Sequence, residues 1–108
     1  MDIFDYQTSS GKNVILEYIS LLPNAEKTEL LAIRQLIWDM GIDAFPLLNT
    51  RQLYKKIWEI KASQERIMYV IRDHESVFFL NICKKQKGKT EKVELNKAIK
   101  RAKEAGLL

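Results

Sequence analysis

The chain has 108 residues, 46% apolar and 30% charged, with a formal net charge of +4; that is the size of one domain, with a globular rather than a disordered composition. No apolar run approaches the roughly 20 residues that cross a membrane, and the opening MDIFDYQTSS is too polar for a signal peptide. The single cysteine, Cys83, excludes an internal disulfide and a cysteine-rich zinc site, so a cytoplasmic chain forming one domain over residues 1–108 is expected.

In chain order, DIFDYQT reads as a short first strand carrying Ile3, Phe4 and Tyr6. Ser9 and Ser10 offer N-caps for a helix over about Lys12–Leu22, in which Val14, Ile15, Tyr18, Ile19 and Leu22 recur at helical spacing. Pro23 stops it, Asn24 can cap a second helix, and Gly41 fits the C-terminal cap after Met40. That second helix places Leu30, Ile33, Ile37 and Trp38 on its apolar side, and the pair reads as an αα-hairpin. IDAFPLLNTRQ then reads as a loop with room for a helical turn.

The period now changes to that of strands. LYKKIWEIK alternates, with Tyr54, Lys56, Trp58 and Ile60 on one face and Lys55, Ile57, Glu59 and Lys61 on the other. RIMYVIR and VFFLNIC follow after the turns ASQE and DHES, and the bulky run in VFFLNIC suits a central strand covered on both faces. TEKVELNKAIKRAKEAG is a closing helix with Thr90 as its cap and Leu95, Ala98, Ile99 and Ala102 on its apolar side. The expected fold is α+β: an N-terminal strand and αα-hairpin packed on one face of a small antiparallel sheet, with a C-terminal helix.

Charge is split along this layout. Residues 1–50 hold three basic and seven acidic side chains, net −4, whereas residues 51–108 hold 15 and seven, net +8. A basic half on an acidic scaffold suits a polyanionic partner, nucleic acid first. The β-hairpin brings Lys61 beside Arg66, and an antiparallel third strand is expected to bring Lys84 and Lys85 near Lys55 and Lys56. On composition alone, the same lysines also suit solubility and edge protection.

Other chemistry has less support. His74, the one histidine, sits in a charged turn, and no carboxylate cluster has ligand spacing, so no metal or other cofactor is expected. Cys83 has no histidine nearby in sequence and reads as core. Trp38, Trp58, Phe78 and Phe79 also read as core, while Tyr54 and Tyr69 could stack on a base.

Metal-free cleavage of RNA by its own 2′-oxygen needs a base for the 2′-OH, positive charge for the phosphorane and a proton for the 5′-oxygen. Arginine can fork two phosphate oxygens, and a lysine crowded by cations can exchange a proton.

From Leu53 to Ala105 the ordered set Trp58-Glu59-Ile60-Lys61, Arg66-Ile67-Met68-Tyr69, an apolar strand ending in Lys84-Lys85, the turn Lys89-Thr90 and a basic helix resembles the RelE/ParE superfamily of bacterial toxins, most closely its phage-related HigB-type branch. The N-terminal strand and helix pair fit that branch too. The resemblance implies the toxin of a type II toxin–antitoxin pair, a ribosome-dependent mRNA endonuclease held inactive by a HigA-like helix-turn-helix antitoxin, which alone contacts operator DNA.

It further implies catalytic roles for Arg66 and Lys85 at the phosphate, with Lys61 and Lys84 as neighbours and Lys61 as the candidate base. Lys56, Arg72, Lys87 and Lys89 would contact RNA backbone, and Glu59 would orient Lys61 or Arg66. Unlike some RelE relatives, the chain has no tyrosine after Tyr69. The same fold also serves ParE-like gyrase poisons, and a non-catalytic nucleic-acid-binding module would share the basic half.

Overall fold

In a computed structural model describing Met1–Leu108, strand β5 (Ser76–Lys84) is the hub of the fold. It pairs in parallel with β1 (Asp2–Asp5) and antiparallel with β4 (Glu65–Asp73), and the sheet continues through β3 (Ile57–Ala62) to β2 (Thr50–Tyr54), giving the order β1-β5-β4-β3-β2. The helices are α1 (Val14–Ser20), α2 (Asn24–Met40) and α3 (Lys89–Glu104), with a 3-10 segment over Gly41–Leu47 between α2 and β2. The α+β class expected from sequence is present.

The sheet itself differs from the expected meander. It has five strands rather than three and is mixed, because β5, reached after two helices and three further strands, lies parallel beside β1. LYKKIWEIK is not one strand: Tyr54 pairs with Ile57, and Lys55 takes a positive φ of 51° in the turn between β2 and β3. No glycine or asparagine marks that turn, so alternation ran through it unbroken.

The helices also occupy both faces. On one face α1, α2 and the 3-10 segment bury Ile15, Ile19, Leu30, Ile37 and Phe45 against Ile60, Ile67, Tyr69, Phe79 and Ile82. On the other, Ala98 and Ala102 of α3 pack on Ile57, Met68, Val70, Leu80 and Cys83. Alanine at these spacings lets α3 lie close to the sheet, and both are fully buried. Hence β4 and β5 are apolar almost throughout, as strands covered on two faces must be.

Local signals were displaced by a few residues. Asn13, not Ser9 or Ser10, caps α1 by accepting from the Leu16 N–H at 2.9 Å. Pro23 holds the N-cap position of α2, and Gly88, with φ 61°, holds that of α3 in place of Thr90. Gly41 ends α2 as expected, with φ 63°. Trp38 and Trp58 are 56% and 38% exposed, so neither is the core residue its spacing suggested. The acidic N-terminal strand has a structural use: Asp5 accepts two bonds from Arg34, at 2.7 and 2.9 Å, and a third from Asn13.

Candidate functional site

Two rows of side chains cross the α3 face of the sheet. Pairing sets Arg51 opposite Glu59, Glu59 opposite Met68 and Met68 opposite Asn81. The adjoining row runs Lys61, Arg66, Cys83. A β-bulge makes this alignment. Met68 pairs with Asn81 but Tyr69 with Phe79, so Leu80 is the extra residue. Leu80 and Asn81 therefore both face α3, where Leu80 packs on Ala98 and Asn81 donates to Glu94 Oε2 at 2.7 Å. Past the bulge, Cys83 and Lys85 lie on the α3 side and Lys84 on the other.

α3 covers the sheet only as far as these rows, and its first turns become a wall. The result is a cavity of about 220 Å³ with Met68 and Cys83 as its apolar lining and Arg51, Lys61, Arg66, Lys85, Lys87 and Gln86 around them; Glu59, Glu91 and Glu94 complete it. The space is below the roughly 300–1,000 Å³ of typical small-molecule sites. It suits a group the size of a phosphate better than a whole cofactor.

Arg66 is held before any ligand arrives. Its Nη1 donates to the carbonyls of Ser63 at 3.0 Å and Glu65 at 2.8 Å, both in its own hairpin. Its Nε lies 3.8 Å from Oε1 of Glu59. Glu59 is almost fully buried and also faces Arg51 Nη2 at 3.3 Å, so one carboxylate steadies two guanidinium groups. Arg51 in turn bonds Glu91 Oε1 at 2.9 Å, and the Glu91 hydrogen bond, then the charge of Glu59, raises its pKa. Lys85 is placed by its own N–H, which donates to the Gln64 carbonyl at 2.7 Å and carries the β4–β5 pairing one step past the strand.

Cys83 is no nucleophile here. Burial, then the nearby Glu94, Glu59 and Glu65, push its thiol up to about 12. Tyr69 is no base-stacking platform either; it is buried on the opposite face, stacked on Phe45 with ring centroids 5.0 Å apart.

Of the residues singled out from sequence, Lys61, Arg66, Lys85 and Lys87 come together in this cavity. Lys84 does not. It crosses to the α1–α2 face, where Nζ bonds Glu65 Oε1 at 2.6 Å and stands 3.9 Å from Glu26, and the Glu65 bond raises its pKa. Glu65 is fully buried, and its other oxygen accepts from the Tyr18 hydroxyl at 2.6 Å. Lys84 thus neutralises a buried carboxylate.

Lys55 and Lys56 are not beside the end of β5. Antiparallel pairing of β5 with β4 puts Lys84 opposite Glu65, next to the end of β3 rather than its start. Lys56 instead lines an apolar groove with Ile42, Phe45 and Trp58 on the other face. Arg72 is stacked over the Phe4 ring at 5.4 Å, and exposed His74 sits in the β4–β5 turn, remote from the cavity. Lys89 borders a shallower groove that shares Arg51 and Glu91 with the cavity. Sequence reasoning missed Arg51, Glu91 and Glu94. Arg51 was hidden because the first three residues of β2 read as loop, and Glu91 because first-turn acids are common in any helix; Glu94 carries no local signal at all.

No helix of the chain is long and apolar enough to cross a membrane. No curated protein matches the chain. A family model described as Phage derived protein Gp49-like (DUF891) matches residues 17–103, which include both rows of the cavity and most of α3. The chain therefore belongs to the Gp49-like (DUF891) family, a RelE/HigB-type toxin-like family associated with toxin–antitoxin systems.

Proposed function

We propose that the protein is the HigB-type toxin of a type II toxin–antitoxin pair and acts in the cytoplasm as a ribosome-dependent mRNA endonuclease, without a metal. The observation that carries this reading is the convergence of Arg66, Lys61, Lys85 and Lys87, from two paired strands and the segment after a third, on one phosphate-sized cavity. Edge protection does not require cations from separate strands to share a cavity.

In this reading the 2′-oxygen of the cleaved nucleotide attacks its own phosphorus. The P–O5′ bond breaks, leaving a 2′,3′-cyclic phosphate and a free 5′-hydroxyl. Arg66, fixed by two carbonyls, offers its remaining N–H groups to the phosphorane oxygens. Lys61 takes the 2′-OH proton, and Lys85 gives one to the leaving oxygen or binds the phosphate beside Arg66. Lys87 and Lys89 follow the RNA backbone. Glu59 orients Arg66 rather than acting as base, since it is buried between two arginines. The ribosome supplies what this open site lacks, an RNA backbone already turned in line. A helix-turn-helix antitoxin of the HigA kind holds the toxin inactive and carries the complex to operator DNA.

The test is primer extension on a defined mRNA bound to programmed ribosomes, with wild-type protein and with Arg66→Ala. New 3′ ends within the A-site codon, dependent on ribosomes and lost in the variant, are the expected result. Intact mRNA from protein that still arrests growth would overturn it and direct attention to gyrase. Salt-sensitive RNA binding with neither cleavage nor growth arrest would leave a binding module.

A further inference from the structure

Arg51 differs from the other cations of the cavity in how it is held. It comes from the edge strand β2, and its Nη2 is shared between two carboxylates of different kinds. Glu59 is buried, its side chain 4% exposed, and is fixed between Arg51 and Arg66. Glu91 stands in the first turn of α3 with its side chain 44% exposed, and Arg51 itself is 48% exposed. The second contact is thus a solvated ion pair, the kind that holds weakly and is easily exchanged. It spans the cavity from β2 to α3, and Glu91 lines both this cavity and the groove beside it.

A phosphodiester entering along Lys87 and Lys89 would meet the Arg51–Glu91 pair. Its two free oxygens match a guanidinium fork, and they bring the charge that Glu91 now supplies. Glu59 need not move, because it lies on the buried side of Arg51. Glu94 is not an equivalent partner, since Asn81 at 2.7 Å and Lys97 at 3.6 Å already hold it.

We propose that Arg51 is a further RNA-binding residue and that Glu91 masks it, so that an RNA phosphate binds by replacing the Glu91 carboxylate on the Arg51 guanidinium. The inference rests on the RNA reading of the cavity but not on cleavage. In the free protein Glu91 is a brake on RNA binding. In the complex its carboxylate is released to solvent, and Arg51 becomes a phosphate contact at the β2 side of the site.

The test is a double-mutant cycle on the full chain, read as the affinity for a fluorescent single-stranded 2′-O-methyl oligoribonucleotide, which cannot be cut, without ribosomes. Glu91→Gln is expected to tighten binding about two- to fivefold, the scale of one exposed ion pair. Arg51→Ala is expected to weaken it and to make its dependence on salt shallower by about one ion. In the Arg51→Ala background, Glu91→Gln is expected to change affinity much less than it does alone, because nothing is left to unmask. Equal gains from Glu91→Gln in both backgrounds would mean simple charge removal and overturn the exchange while leaving RNA binding intact. A wild-type protein that does not bind the oligonucleotide even at low salt would overturn the RNA reading and the exchange with it. Both side chains are half exposed, and thermal melts of each variant identify any loss of fold.

Discussion

Lys84 and Lys85 are neighbours of one residue type at the end of one strand, and they belong to opposite faces of the molecule. Lys84 turns toward α1 and α2, where its ammonium meets Glu65 and Glu26, and the buried Glu65 carboxylate, which also accepts from the Tyr18 hydroxyl, needs its charge. Lys85 turns toward α3, into a cavity it shares with Lys61, Arg66 and Lys87. On the first face one ammonium meets two carboxylates, one of them fully buried. On the second, five cations meet only three carboxylates, and an excess of positive charge faces solvent. Strand alternation separates the two lysines, and the extra residue at Leu80 decides which of them goes where. A run of basic residues is thus not a functional unit; each member takes the function of the face it reaches.

The sharpest way to break this comparison is to remove charge from the α3 face. Arg66→Ala is expected to lower ribosome-dependent cleavage roughly 10³-fold, by loss of an oriented donor to the transition state. Lys85→Ala should lower it about 10²-fold, as for a proton donor or a single phosphate contact. Single-turnover cleavage on programmed ribosomes measures both. Lys84→Ala should do the reverse, with cleavage nearly unchanged and a lower melting temperature, because Glu65 would keep only the Tyr18 hydroxyl. If Lys84→Ala silenced cleavage in a protein of undiminished stability, the division between the two faces would be wrong.

A smaller effect sharpens the structural side alone. Tyr18→Phe removes a 2.6 Å hydrogen bond to a charged, buried acceptor, and should cost about 1–2 kcal/mol in urea unfolding without altering cleavage. Because Tyr18 reaches Glu65 from α1, this loss would also show that α1 and the end of β5 are bound through one carboxylate. An unchanged urea midpoint would mean that Lys84 alone satisfies Glu65.

How far each face could be read from sequence follows from the distance over which its signals act. The Lys61–Arg66 pair was legible because a hairpin is local: two β-favouring runs with a short turn between them place those residues opposite each other. Lys85 was singled out through a family motif, and it lines the cavity together with Lys61 and Arg66. Lys84 was grouped with it although alternation sends consecutive strand residues to opposite faces, and nothing in VFFLNICKK reveals the bulge at Leu80 that decides which of the two faces α3. The bulge forms where β5 must pair with β4, bury Leu80 under Ala98 and still give Asn81 to Glu94, and these are long-range conditions.

The start of β2, read as loop as far as Gln52, was illegible for a related reason. Its five residues are half exposed at an edge and carry no clear alternation, and Lys55 adopts its left-handed turn without the glycine that would have announced it. Arg51 was lost with that strand. The parallel pairing of β1 with β5 was equally hidden, since it joins segments separated by both N-terminal helices.

The least expected effect to measure is the response of the two faces to alkali. Cys83 lies on the α3 face with its thiol raised from 9.0 to about 12, chiefly by burial, and Tyr69 lies on the other with its hydroxyl raised from 10.0 to about 12 for the same reason. Tyr18 and Lys84 are raised as well. In each case the folded state keeps a proton that the unfolded chain has begun to lose. The unfolded state therefore binds fewer protons over this range, and stability must fall as pH rises. Below pH 9 these contributions are fully present. The decline begins near 9 with Cys83, steepens above 10 as the tyrosines and then Lys84 join, and continues toward 12. Cys83→Ala should delay its onset by about one pH unit, the interval between the ordinary thiol and phenol values, while leaving the steeper region above 10 in place. Urea midpoints at half-unit steps from pH 8 to 11 would measure this. Parallel decline of both proteins from pH 9 would mean that the thiol is not sheltered by the fold, and that the cavity lining beneath Arg66 is open to solvent rather than part of the core.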